Sequence, residues 1–327
     1  MSKSLLTGTL SDSVKRLLRC PICAGKLAVA QDGLQCQSER CRASFPLIED
    51  IPILINTNSS VFSIDDFVAK RKTYFDPARR PSAWKDALGR LLYGGGIDFN
   101  QTRMTRQFSQ HLVSLRESSR VLVLGGGVLS NAMSVLTSNR SIEFIESDVS
   151  LGPRTMLVCD AHDIPFEDGS FDAVIAESVL EHVADPYRCV SEVFRVLRAG
   201  GIVYAETPFI QQVHGAQFDF TRFTHLGHRR LFRDFDEIDS GIGGGPGYAL
   251  AWSYKYFLLS FTSVKPLRKL IRIFANLTSF YLKYFDYFLM DKPGSLDAAS
   301  SYYFLGKKCG RTLSDHELIR SYRGAGW

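Results

Sequence analysis

Val121-Leu-Val-Leu-Gly-Gly-Gly127, followed by Ser141-Ile-Glu-Phe-Ile-Glu-Ser-Asp148, is the stretch that decides how this chain folds. Consecutive apolar residues read as a buried strand, and the glycines let the backbone bend against a ligand where a Cβ would clash. The second apolar run predicts the next strand. Asp148 stands 23 positions beyond Gly125, near the spacing at which a carboxylate ending the second strand accepts hydrogen bonds from ribose hydroxyls. The two runs therefore predict a pocket for a nucleotide-type cofactor. Gly125 and Gly127 form its bend, and Asp148 binds its sugar, with Glu146 as the alternative carboxylate.

Farther along, Met156-Leu-Val-Cys-Asp160-Ala161 leads into Ile164-Pro-Phe166 and Ser170-Phe-Asp172. Glu177, Leu180-Glu-His182 and Arg195-Val-Leu-Arg-Ala-Gly-Gly201 follow. In this order and spacing the run resembles the class I S-adenosylmethionine-dependent methyltransferases. The resemblance implies an α/β, Rossmann-like, seven-stranded sheet over residues 101–312 that binds S-adenosylmethionine, with Asp160 and Ala161 against the adenine. Glu177 ends the fourth strand, and ligands sit at the carboxyl ends of strands in an open α/β sheet, so it belongs near the methyl donor. Asn131-Ala-Met-Ser-Val-Leu136 predicts the helix whose amino-terminal amides face the methionine carboxylate. Two positions depart from the family pattern. Val123 stands where most relatives carry an acidic residue, which removes an acceptor from the expected pocket floor, and Leu129 stands where they carry a third glycine. Only seven residues separate Asp148 from Met156, too few for a crossover helix, so that sheet edge is expected to be abbreviated.

At 327 residues the chain exceeds the usual single-domain length, so a large core plus a smaller module is expected. With 39 basic and 34 acidic residues, its net charge of +5 is too small to imply nucleic acid by itself. Met1 to Leu10 lacks the apolar core of a secretion signal, so a cytoplasmic protein is expected. Four of the seven cysteines fall in the first 41 residues. Cys20-Pro-Ile-Cys23 and Cys36-Gln-Ser-Glu-Arg-Cys41 place four thiolates on two loops, the pattern that closes a tetrahedron around a structural Zn2+. The surrounding segment, 15–57, resembles the zinc ribbons found ahead of some bacterial methyltransferases, with a scaffolding or recognition role. Residues 58–100 read as a helical linker and 313–327 as a tail. Cys159, Cys189 and Cys309 read as small buried side chains.

The acceptor is expected at the polar, aromatic stretch Thr207 to His225. His214 or Asp219 can serve as base for a hydroxyl acceptor, and Arg222 can hold an anionic group. The plainer alternative pairs Asp219 with Arg222 and leaves His214 a loop residue. Glu181 and His182 read as the first turn of a helix, one carboxylate stabilising the helix start and one packed imidazole. No Asn-Pro-Pro-Tyr or Pro-Cys motif for amino-group or pyrimidine methylation is present, which leaves methylation at oxygen of a small-molecule or glycan-like acceptor. Gly241-Ile-Gly-Gly-Gly-Pro-Gly247 reads as a hinge within an amphipathic insertion at 241–295. Residues 265–290 read as one basic, aromatic amphipathic helix able to touch a membrane surface peripherally. Ser301 to Lys307 reads as the last strand. Two rival functions stand beside this one: an RNA methyltransferase with a zinc recognition module, and a non-catalytic binding protein on the same fold.

Overall fold

The computed structural model describes residues 10–74, 101–115, 118–126 and 141–326. Gly127, Leu129 and the helix expected at 131–136 lie outside the described residues. The first four strands are β1 (Leu27–Ala30), β2 (Gly33–Cys36), β3 (Ser44–Ile48) and β4 (Ile51–Leu54), an antiparallel meander. Seven more follow: β5 (Ser119–Leu124), β6 (Ile142–Asp148), β7 (Leu157–Cys159), β8 (Phe171–Glu177), β9 (Leu197–Pro208), β10 (Phe235–Ile242) and β11 (Ser301–Lys308). These seven lie side by side in the order β7-β6-β5-β8-β9-β11-β10. The first five are parallel, while β11 runs antiparallel to both β9 and β10.

The central strands are apolar on both faces because both faces are covered. In β5, Leu122 and Leu124 join one core cluster with Leu157, Phe171 and Val174. Val121 and Val123 point the other way, against Phe108 and Leu112 of the helix Gln101–Leu115. Val123 thus sits in apolar packing, and its lack of a carboxylate removes no acceptor from the ligand side, contrary to the expectation for the pocket floor. The helix after β8 is Pro186–Val196, its first turn capped by the Asp185 side chain and opened by proline. Glu181 and His182 precede it and are not its first turn.

No helix separates β6 from β7, as the short link requires. What completes that edge is β4, which pairs in parallel with β7, Ile53 opposite Val158 and Leu54 opposite Cys159. The cysteine-rich segment is therefore continuous with the main sheet and not a separate bead. Ile53, Leu54 and Ile55 are fully buried, and Leu18, Phe45 and Leu54 share a core cluster with Leu157 and Phe166. Backbone bonds from Arg19 N to the Pro165 carbonyl (2.9 Å) and from Glu167 N to the Leu17 carbonyl (3.0 Å) stitch the other side.

The insertion also differs from its reading. The stripe over 265–290 is a helix, Lys265–Ser279, then a 3-10 turn at Leu282–Phe285 and a short helix, Asp286–Leu289. The break returns Asp286 to the start of the helix Pro246–Leu259, where its buried carboxylate accepts from Gly247 N (2.7 Å) and Tyr248 N (3.1 Å). Helix starts leave such amides without partners, and a carboxylate there is favourable. A Cβ on Gly243 would overlap Glu206, on Gly245 Asp286, and on Gly247 the Leu282 carbonyl. The glycine-rich stretch is thus a close-packed corner and not a hinge over the pocket. Among the described residues, no helix is long and apolar enough to cross a membrane.

Candidate functional site

A cleft of about 660 Å³ opens at the carboxyl ends of β5, β6, β8 and β9, where Leu124, Asp148, Glu177 and Glu206 line it. Gly125 makes the bend after β5 with φ +68°, and a Cβ there would stand 2.6 Å from a Val179 methyl. That backbone conformation favours glycine. Gly126 N bonds the Ser147 carbonyl at 2.9 Å, tying the bend to β6. Asp148 is buried at the end of β6 and lines the cleft. Glu146, the alternative, does not line it and is held by Arg154. Asp160 and Ala161 follow β7 and line the same wall. Asp160 accepts from the Ser60 hydroxyl (2.5 Å), from His162 N (3.0 Å) and from the His162 ring. Burial raises its carboxyl, but the bonds from His162 and Ser60 outweigh burial and hold it low.

The opposite end is polar. His182 and His214 line it with Tyr74 and Phe218, and the fully buried Glu181 lies behind them. The Glu181 Oε1 atom stands 3.6 Å from His182 Nε2 and 3.8 Å from His214 Nε2. His182 bonds the Phe218 carbonyl through Nδ1 (2.8 Å) and the Tyr74 hydroxyl through Nε2 (3.0 Å). Burial, with the charges of Glu181, Asp219 and Asp148, pushes the Tyr74 phenol up to about 12. The Glu181 carboxylate raises His214 against the effect of burial. Phe62 stacks on Phe218, ring centres 5.4 Å apart.

Asp219 and Arg222 do not line the cleft. They pair with each other, and Asp219 also accepts from His214 N (2.7 Å) and Gly215 N (3.1 Å). Arg222 further donates to the Gln211 carbonyl at 2.9 Å. Every strong bond of this pair runs within the loop, so the geometry gives both residues a part in holding it. A Cβ on Gly215 would lie 2.5 Å from the His182 ring, so the loop carries His214 close over His182.

Residues 122–205 match the family model described as a methyltransferase domain. That segment is similar to methyltransferase domains, in keeping with the class I resemblance of the sequence. Among curated relatives, the O-methyltransferase rstn1 of Aspergillus nomiae is 32% identical over 119 residues, 32% of this chain and 52% of that protein. The ubiquinone/menaquinone biosynthesis C-methyltransferase UbiE of Geobacter sp. (strain M21) is 30% identical over 133 residues, 36% of this chain and 54% of that protein. The chain spans about half the length of these two relatives. A solved SAM-dependent methyltransferase from Archaeoglobus fulgidus superposes with TM-score 0.39 at 13% identity, over 69% of this chain and 100% of that one.

The cleft draws part of its lining from outside the matched segment. Val61, Phe62 and Tyr74 come from the linker, with Ser60 behind them on Asp160, and isolated residues in a polar stretch carry no pattern. Glu181 and His182 are visible in the sequence, but their partner His214 is 32 positions beyond His182, and only the loop path brings them together. At the ribbon, the Cys20 and Cys41 sulfurs are 3.8 Å apart and those of Cys23 and Cys36 3.5 Å. All four ligand atoms lie within 4.8 Å of one another. Sulfurs bonded at about 2.3 Å around a tetrahedral ion stand roughly 3.8 Å apart, so this donor set fits Zn2+. Cys159 and Cys189 are buried in the core, and Cys309 is half-buried, its thiol on the Asp234 carbonyl.

Proposed function

We propose that this protein transfers a methyl group from S-adenosylmethionine to an oxygen of a small-molecule or glycan-like acceptor, with Zn2+ held structurally by Cys20, Cys23, Cys36 and Cys41. One observation carries the reading: a single cleft runs from the Gly125 bend and Asp148 to the polar end at His182 and His214. The cofactor supplies a methyl group on a positively charged sulfur. Gly125 leaves room for it at the bend, Asp148 accepts from its ribose, Asp160 and Ala161 border its adenine, and Glu177 stands beside the donor. His214 faces the acceptor, while Asp219 and Arg222 hold the loop that carries it. Methyl transfer asks mainly for positioning and for a hydroxyl made ready to lose its proton, and the imidazoles and buried carboxylate suit a hydroxyl better than an unactivated carbon. Relatives named for both O- and C-methylation share the domain. With S-adenosylmethionine carrying a labelled methyl, incubation with cell extract is expected to place label in a solvent-extractable or saccharide fraction. Label in RNA would replace this reading with the RNA methyltransferase.

We also propose that the insertion rests on an anionic lipid surface. The helix Lys265–Ser279 buries only Ala275 and Ser279, while Phe261 (73%), Leu270 (63%) and Phe288 (76%) stand exposed. An outward apolar face beside exposed Lys265, Lys269 and Arg272 matches an interfacial helix, whose affinity combines apolar burial with attraction to anionic headgroups. Cosedimentation with phosphatidylserine-containing vesicles at low salt is expected, and Phe261→Glu with Leu270→Glu should abolish it. Wild-type protein left in the supernatant would sink this contact.

A further inference from the structure

We propose that Glu181, His182 and His214 hold a divalent transition-metal cation that grips the acceptor oxygens inside the cleft. The acceptor role rests on the methyl-transfer reading above, whereas the cation site stands on its own geometry. Glu181 is fully buried, and among the described residues neither carboxylate oxygen has a hydrogen-bond donor. A carboxylate taken out of water without a donor is costly unless a cation meets it. Two imidazoles, His182 and His214, stand beside it.

Both rings present Nε2 to that carboxylate. His182 Nδ1 faces the Phe218 carbonyl at 2.8 Å and therefore carries the proton, which leaves a lone pair on Nε2, where the Tyr74 hydroxyl now donates. His214 Nδ1 faces two acceptors, the Gln212 carbonyl at 3.3 Å and the Asp219 carboxylate at 3.7 Å. Arg222 also approaches that nitrogen at 3.4 Å, but its donors are engaged by Asp219 and by main-chain carbonyls. Fixing one imidazole nitrogen on a backbone carbonyl so that the other is free is how metal-binding histidines are oriented.

The spacing agrees. Ligands bonded at about 2.0–2.2 Å around one ion stand roughly 3–3.6 Å apart. Here Oε1 lies 3.6 and 3.8 Å from the two Nε2 atoms, and all three ligand atoms fall within 4.8 Å. Two imidazoles and one carboxylate suit Mn2+, Fe2+ or Zn2+ better than Ca2+. Three protein ligands leave coordination positions open on the side where His182 and His214 line the cleft. An acceptor with two neighbouring oxygens, a catechol, enediol or vicinal diol, would occupy them. Coordination favours loss of the hydroxyl proton to water, so the bound oxygen becomes the better nucleophile. His214 then serves as a ligand, and no separate protein base is needed.

Full-length protein with its ribbon zinc retained is titrated with Mn2+ and followed by electron paramagnetic resonance. A single Mn2+ is expected to bind, and Glu181→Gln and His214→Ala should each weaken it on the order of 100-fold or more. Both variants should keep their zinc and their calorimetric affinity for S-adenosylmethionine, which separates lost ligands from lost fold; His182→Gln supplies a third variant if either fails this control. Wild-type protein that binds S-adenosylmethionine but no Mn2+, or variants that bind Mn2+ as wild type does, would overturn the site and leave methyl transfer standing. Mn2+ bound at these residues without S-adenosylmethionine binding would overturn the methyl-transfer reading instead. Catechol should perturb the bound-Mn2+ spectrum, and a spectrum indifferent to it would overturn the acceptor role alone.

Discussion

Replacing Cys20 and Cys36 by serine is expected to lower the thermal transition of the whole molecule by about 10 °C or more, and not merely to loosen its first 57 residues. A structural zinc contributes on the order of 10 kcal/mol to the folding of a small module, against roughly 5–15 kcal/mol of net stability for a domain. Were the ribbon a bead on a string, that loss would stay local. It cannot stay local here, because β4 is the strand that completes the sheet beside the three-residue β7. Leu18, Phe45 and Leu54 would leave the cluster that contains Leu157 and Phe166, each removal exposing a side chain worth about 1.5–3 kcal/mol. Scanning calorimetry checks this directly. A variant whose main transition stays at the wild-type temperature would show that the edge strand is dispensable.

Asp148→Ala is expected to weaken S-adenosylmethionine binding about 100-fold or more. A hydrogen bond to a charged partner contributes roughly 1.5–3 kcal/mol, and two ribose hydroxyls on one buried carboxylate amount to at least two factors of ten. Asp148→Asn, which keeps one acceptor oxygen, should fall between alanine and wild type. Glu146→Ala is the control, because Glu146 is bound to Arg154 and does not line the cleft. Its affinity should stay within a few-fold of wild type. Titration calorimetry on the three variants decides the matter, and equal losses at 146 and 148 would remove the ribose assignment.

The central sheet was legible because β5 and β8 are buried on both faces, which leaves an unbroken apolar run in the sequence. The four thiols were legible because ligand spacing within a knuckle is a local property. Other features were read wrongly for want of their neighbours. Gly243, Gly245 and Gly247 look flexible in isolation, but each is glycine because another part of the chain lies where its Cβ would be. Glu181 and His182 look like an ordinary helix start until Asp185 is seen to cap the helix and the carboxylate is seen to be buried.

Val123 shows how one strand position depends on its face. A missing carboxylate there suggested a damaged pocket, but the side chain packs under the helix Gln101–Leu115, on the face away from the cleft. For the stripe over 265–290, periodicity revealed an apolar face without revealing that the face is turned outward.

Local pattern by itself determined the central strands, the bend at Gly125 and the closeness of the four cysteine sulfurs, since each depends on residues close together in the chain. Tertiary structure alone decided that the ribbon closes the sheet edge, that Asp219 and Arg222 bind each other, and that Glu181, His182 and His214 converge. Those facts depend on contacts between segments distant in sequence, and such contacts are chosen by packing and by the pairing of buried polar groups, neither of which leaves a fixed spacing behind.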